Sequence, residues 1–133
     1  MIQNEIEGVP TPAIRILVVE DDMLIRFVIS DALRDIEGAD VIEAATADEA
    51  WEYLVTEKGY VDLVFTDHRM PGNLSGAQLA ARVKEHYPAI GVVVTSGFYD
   101  GTEWAEPVLK KPYDIDRTVM NLIALAKEGQ ARR

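Results

Sequence analysis

Cysteine is absent from the 133-residue chain, which excludes disulfides, thiolate nucleophiles and cysteine-ligated zinc or iron–sulfur sites. This usage suits the cytoplasm, and a cytoplasmic protein is the expectation. Basic residues are scarce: 13 Lys and Arg stand against 23 Asp and Glu, a net charge of −10. A nucleic-acid backbone would be repelled overall, so direct nucleic-acid binding is not expected, whereas cations and basic partner surfaces are favoured. No run approaches the ~18 apolar residues of a membrane span. The opening MIQNEIEGVPTP carries glutamates and no long apolar stretch, so neither export nor membrane insertion is indicated. Neither Gly-x4-Gly-Lys-Ser/Thr nor, after the first strand, Gly-x-Gly-x-x-Gly is present, which removes P-loop and Rossmann readings.

What remains is a chain of ordinary globular composition, 48% hydrophobic and 27% charged, sized for one domain with one sizeable core. Pro10-Thr11-Pro12 marks residues 1–13 as an extended lead-in, 14–127 form the folded body, and 128–133 (EGQARR) are expected as a frayed tail. Short aliphatic runs alternate with amphipathic stretches, the pattern of a strand–helix repeat around a parallel sheet. Strands are expected at Ile14 to Val19, Asp40 to Ala44, Leu63 to Thr66, Ile90 to Thr95 and Val108 to Leu109. The first helix should bury Ile25, Val28, Ile29, Ala32, Leu33 and Ile36 and stop at Gly38. Thr46-Ala-Asp-Glu49 and Ser75-Gly-Ala-Gln78 read as capping boxes for the next two, with Trp51 in the inner stripe of the second. Asp114 would cap the last, which turns Val119, Leu122, Ile123 and Ala126 inward. Between Ser96 and Pro107 two glycines and the lack of a stripe predict a short or irregular fourth helix.

Ligands of open parallel sheets bind beyond the carboxyl ends of the strands. That edge collects Glu20, Asp21 and Asp22 after the first strand, Asp67 after the third, Thr95 and Ser96 after the fourth, and Lys110 and Lys111 after the fifth. Two carboxylates ~4 Å apart repel by about 1 kcal/mol in water and about 4 kcal/mol at an effective dielectric of about 20. One lysine cannot balance three acids; a divalent ion can, and an all-oxygen site suits Mg2+. A carboxylate beside Mg2+, a hydroxyl and an ammonium group is equipped to attack phosphorus and form an aspartyl phosphate.

The segments ILVVEDDMLIR, LVFTDHRMPG, VVVTSG and LKKP, in that order and each at a strand end, resemble the signatures of response-regulator receiver domains of two-component signalling. The resemblance spans roughly Ile14 to Lys127. It implies a doubly wound, five-stranded, flavodoxin-like α/β fold with strand order 2-1-3-4-5. It makes Asp67 the phosphoacceptor, gives Mg2+ to Glu20 and Asp21 with Asp67 and the backbone carbonyl of Arg69, and sets Thr95 and Lys111 on the phosphoryl group. A histidine kinase or phosphotransfer protein would donate the phosphate and a downstream protein target would read it. The chain is not expected to be a conventional turnover enzyme.

Two features depart from the family pattern. Val108 stands where receivers usually carry a switch aromatic, and the interval from Thr95 to Lys111 is short. Thr95-Ser96-Gly97-Phe98 resembles the Thr-x-Gly-aromatic segment of a subgroup of stand-alone receivers, so ordering of the Gly97 to Glu106 loop is expected to replace rotation of an aromatic ring. Plainer roles stand beside these: Asp21 or Asp22 as a helix cap, Asp67 as a turn residue, Thr95 as a strand end, Lys111 as a solvated lysine, and His68 and His86 in surface or packing roles. Phe98 and Trp104 are candidates for a partner surface. A receiver-like scaffold independent of phosphorylation is the alternative function. A haloacid-dehalogenase-type phosphatase is disfavoured, because that motif needs a second Asp where Arg69 stands.

Overall fold

The structure, a computed structural model, describes residues 12–68, 72–96, 108–110 and 115–132. In chain order the elements are β1 (Arg15–Val19), α1 (Met23–Glu37), β2 (Asp40–Ala44), α2 (Ala47–Thr56), β3 (Leu63–Asp67), α3 (Gly76–His86), β4 (Gly91–Ser96), β5 (Val108–Lys110) and α4 (Ile115–Arg132). All strand pairs are parallel and the sheet order is β2-β1-β3-β4-β5. This is the flavodoxin-like α/β arrangement.

The central strands are continuously apolar because helices cover both faces. Ile16 to Val19 of β1 and Leu63 to Val64 of β3 are fully buried. Alternation divides them between two cores. Leu17, Val19, Val64, Val92 and Val94 meet Ala50 and Leu54 of α2 and Leu79 and Val83 of α3. Ile16, Val18, Leu63, Phe65 and Val93 meet Ile29 and Leu33 of α1 and Val119, Leu122 and Ala126 of α4. Each fully buried aliphatic side chain contributes about 1.5–3 kcal/mol by its removal from water, so the sheet is the rigid frame on which its loops are hung.

The helix ends follow their sequence signals, except that the α2 capping box is half formed, the Glu49 carboxylate accepting from the Ala45 amide rather than that of Thr46. Gly38 ends α1 in the left-handed region at φ 67, and the Thr46 hydroxyl accepts from the Glu49 amide at the start of α2. Ser75 and Gln78 exchange both capping-box hydrogen bonds at the start of α3. The Asp114 cap and the irregular helix expected between Ser96 and Pro107 lie outside the described residues.

Three expectations need correction. Residues 128–132 are not a tail but the last turns of α4: Gly129 is buried, and the Gln130 amide donates to the Pro12 carbonyl over 2.8 Å. Gly129 is a close-packing site, since a Cβ there would fall 2.2 Å from the Asp62 carbonyl oxygen. The buried stripe of α1 is narrower than expected, with Val28 and Ile36 39% and 51% exposed. Trp51 sits at the margin of its core, tilted against His86 and Tyr87.

Candidate functional site

The same alternation that divides the cores builds the site. On β1, Ile16 and Val18 point toward α1 and α4, and the next residue of that parity is Glu20. On β3 the series is Leu63, Phe65, Asp67; on β4 it is Val93, Thr95. Asp67 and Thr95 are register partners in adjacent strands, and the His68 amide donates to the Thr95 carbonyl over 2.7 Å. Glu20, Asp67 and Thr95 therefore share one face of the sheet at its carboxyl edge, and all three are buried.

One carboxylate oxygen from each of Glu20, Asp21 and Asp67 lies within 4.8 Å of the others. Asp21 is the solvent-exposed member. The capping role left open between Asp21 and Asp22 falls to Asp22, whose carboxylate accepts from the Leu24 and Ile25 amides at 2.9 and 3.1 Å. Asp21 is thereby left to face the cluster. The Asp22 amide in turn donates to the Glu20 carboxylate over 3.1 Å. Three acids so close, offering only oxygen, fit a hard divalent cation and suit Mg2+ better than a transition metal.

Two supports were not legible in the sequence. Arg26 of α1 donates to the Glu20 main-chain carbonyl over 2.7 Å and pairs with Glu43 of β2 at 3.2 Å. Its guanidinium thus holds the loop that carries two of the acids. Beneath Asp67, the Gly76 amide donates to the His68 carbonyl over 2.9 Å. A Cβ at Gly76 would lie 1.7 Å from the Asp67 carbonyl oxygen, so α3 begins directly against the acidic strand end. His68 adjoins the cluster and is partly buried, whereas the His86 side chain is 55% exposed beside Trp51.

Arg69, Lys111, Phe98, Trp104 and the Gly97 to Glu106 loop lie outside the described residues. Val108 pairs with Val94 and Leu109 with Thr95. At the rim, the first turns of α1 expose Met23, Leu24 and Phe27, which are 72%, 70% and 56% accessible. Among the described residues no helix is long and apolar enough to cross a membrane.

Comparison with known proteins agrees with this geometry. The receiver domain of the hybrid histidine kinase CckA is 31% identical, with a TM-score of 0.72 over 84% of this chain and 98% of that one. TrrA from Thermotoga maritima, solved in complex with Mg2+ and BeF, is 26% identical, with a TM-score of 0.73 over 84% of this chain and 98% of that one. A signal receiver domain of an HD domain-containing protein from Pseudomonas fluorescens Pf-5 shares the fold at 23% identity, with a TM-score of 0.77 over 92% and 100% of the two chains. The two-component response regulator-like protein APRR7 of Arabidopsis thaliana is 34% identical over 73 residues, 55% of this chain. That match spans 10% of the curated relative's length. The response regulator receiver domain model matches residues 16–119, and the chain belongs to that family.

Proposed function

We propose that the protein is a phosphorylation-dependent receiver in which Asp67 accepts a phosphoryl group from a histidine kinase or phosphotransfer protein. The observation that carries this reading is the convergence of Glu20, Asp21 and Asp67 within 4.8 Å, with Thr95 beside Asp67 in register. Capping and turn roles alone give no reason for remote strand ends to gather three acids against their own repulsion.

In transfer, an Asp67 carboxylate oxygen bonds to phosphorus as the bond from phosphorus to the donor imidazole nitrogen breaks, and the electron pair returns to that ring. Mg2+, held by Glu20, Asp21, Asp67 and the backbone carbonyl of Arg69, would neutralise the acids and polarise the phosphoryl oxygens. The Thr95 hydroxyl would donate to one of those oxygens. Lys111 follows Leu109 by two residues, and Leu109 is the register partner of Thr95. The Lys111 amine would pair with the phosphoryl group.

The exposed Met23, Leu24 and Phe27, on the first turns of the helix that follows Asp21 and Asp22, offer an apolar surface on which a donor protein can seat. With Val108 in place of the aromatic, ordering of the Gly97 to Glu106 loop would carry the signal to a downstream protein, driven by the added charge of about −1.5 to −2. The receiver unit is taken to begin at residue 14 and to include all of α4, and to work in the cytoplasm without conventional turnover. Transfer of labelled phosphate from histidine kinases to the wild type and to Asp67→Asn tests the reading. Mg2+-dependent label on the wild type alone is expected. No label favours a phosphorylation-independent scaffold, continuous turnover of a phosphate ester favours a phosphatase, and label that survives the substitution moves the acceptor elsewhere.

A further inference from the structure

Asp48 stands in the first turn of α2, yet α2 does not need it as a cap. Thr46 accepts from the Glu49 amide, and the Glu49 carboxylate reaches back to the Ala45 amide over 3.1 Å. The Asp48 carboxylate instead crosses to the segment that precedes α3. One of its oxygens accepts from the Asn73 amide at 2.9 Å and lies 3.4 Å from the Leu74 amide.

The backbone is shaped to allow this approach. Gly72 adopts φ +111, and a Cβ there would lie 2.5 Å from the same Asp48 oxygen. Any other residue would be strained in its own torsions, and the Asp48 carboxylate would have to shift from its place to admit the Cβ. From the latch the chain runs without slack into the site. Leu74 is buried in the core between α2 and α3, Ser75 caps α3, and Gly76 abuts the Asp67 carbonyl. A displacement at Asn73 therefore has only two residues to dissipate before it reaches the main chain of Asp67.

We propose that Asp48 is a positioning residue for the Asp67 site: its carboxylate latches α2 to residues 73–74 and so fixes the main chain on which the phosphoacceptor is carried. This rests on the phosphoacceptor function proposed above. The latch acts by geometry, not by charge alone, and three variants of the full chain separate the two. Asp48→Asn keeps an accepting oxygen at the same distance and loses the charge. Asp48→Glu keeps the charge and moves the oxygen by one methylene. Asp48→Ala removes both.

Amide exchange at Asn73, Leu74 and Gly76 in metal-free protein, the Mg2+ dissociation constant from amide-signal titration, and the rate of labelling by acetyl phosphate form the readout. Asp48→Ala and Asp48→Glu are expected to speed exchange at all three amides. Each should weaken Mg2+ binding and slow labelling by about tenfold or more, the range carried by groups that orient metal ligands. Asp48→Asn should stay within about threefold of wild type, because the hydrogen bonds survive in weaker form. Should Asp48→Ala fail to fold, the contrast between Asn and Glu decides. Wild-type exchange and Mg2+ affinity in Asp48→Glu would overturn the latch, as would an Asp48→Asn protein as impaired as Asp48→Glu. A wild type that binds Mg2+ but takes no phosphate would sink the phosphoacceptor reading while leaving exchange and Mg2+ affinity to judge the latch. A wild type that does neither would sink both.

Discussion

Gly76→Ala sets two effects of known size against each other. Gly76 is the first residue of α3, and Ala is favoured over Gly in a helix by up to about 1 kcal/mol. Against this, the new methyl would sit 1.7 Å from the Asp67 carbonyl oxygen and 2.7 Å from its carbon. Both atoms belong to the backbone of a buried central strand, so no rotamer change relieves the clash. Forced overpacking of this kind costs about 1–3 kcal/mol, and stretching the Gly76-to-His68 hydrogen bond adds about 1 kcal/mol. The clash wins, with a net loss of about 1–3 kcal/mol in urea unfolding and a parallel drop in Asp67 labelling.

Gly91→Ala is the control. Its nearest neighbour would be a Leu63 methyl at 3.1 Å, a side-chain atom that can yield, and Gly costs a strand about 0.5–1 kcal/mol relative to Ala. That variant should stay within about 1 kcal/mol of wild type. Equal or greater stability for Gly76→Ala, with labelling intact, would refute the claim that α3 is wedged against the acceptor strand.

Other outcomes follow from single residues. Leu33→Ala opens a cavity at a fully buried position of α1 and should cost about 2–5 kcal/mol in chemical denaturation. Ser30 is fully buried, and its hydroxyl has no hydrogen-bond partner among the described residues; Ser30→Ala should therefore stabilise by about 1 kcal/mol, and a loss of that size would mean the hydroxyl is satisfied in solution. Burial pushes the Tyr53 phenol above its ordinary value of 10.0, against the opposing Arg15 guanidinium 2.6 Å from its oxygen. The folded state then holds this proton more tightly than the unfolded chain. Its contribution is complete below pH 10.0 and is lost as pH rises through the folded value. Unfolding midpoints of wild type should thus fall more steeply with alkaline pH than those of Tyr53→Phe, and parallel curves would contradict the burial effect.

The sheet was largely legible in the sequence, because strands covered on both faces must be continuously apolar and their ends are marked by polar residues. Asp40–Ala44 matches residue for residue, β3 runs one residue further than expected, and β4 is shifted by one residue at each end. The acids were legible for the same reason: a strand end in a parallel sheet has a fixed destination. What escaped depends on contacts between elements remote in sequence. Asp48 reads as one residue of a capping pattern, and only the fold brings Asn73 to it. Residues 128–133 read as a tail, and only the packing of Gly129 on Asp62 explains a glycine inside α4. Val28 and Ile36 have helical spacing with the core residues, yet that spacing does not say how wide a stripe α4 and the sheet can cover. Arg26 closes the first signature segment with no role assigned to it; its part is visible once Glu20 and Glu43 flank it.

The most direct measurement is the fate of residue 67 after phosphorylation by acetyl phosphate in the presence of Mg2+. Borohydride reduction converts an aspartyl phosphate to homoserine, and peptide mass spectrometry reads the change at a single position. Homoserine at position 67, absent without Mg2+ and absent from Asp67→Asn, is the expected result; aspartate retained at position 67 in protein that carries phosphate elsewhere would contradict it.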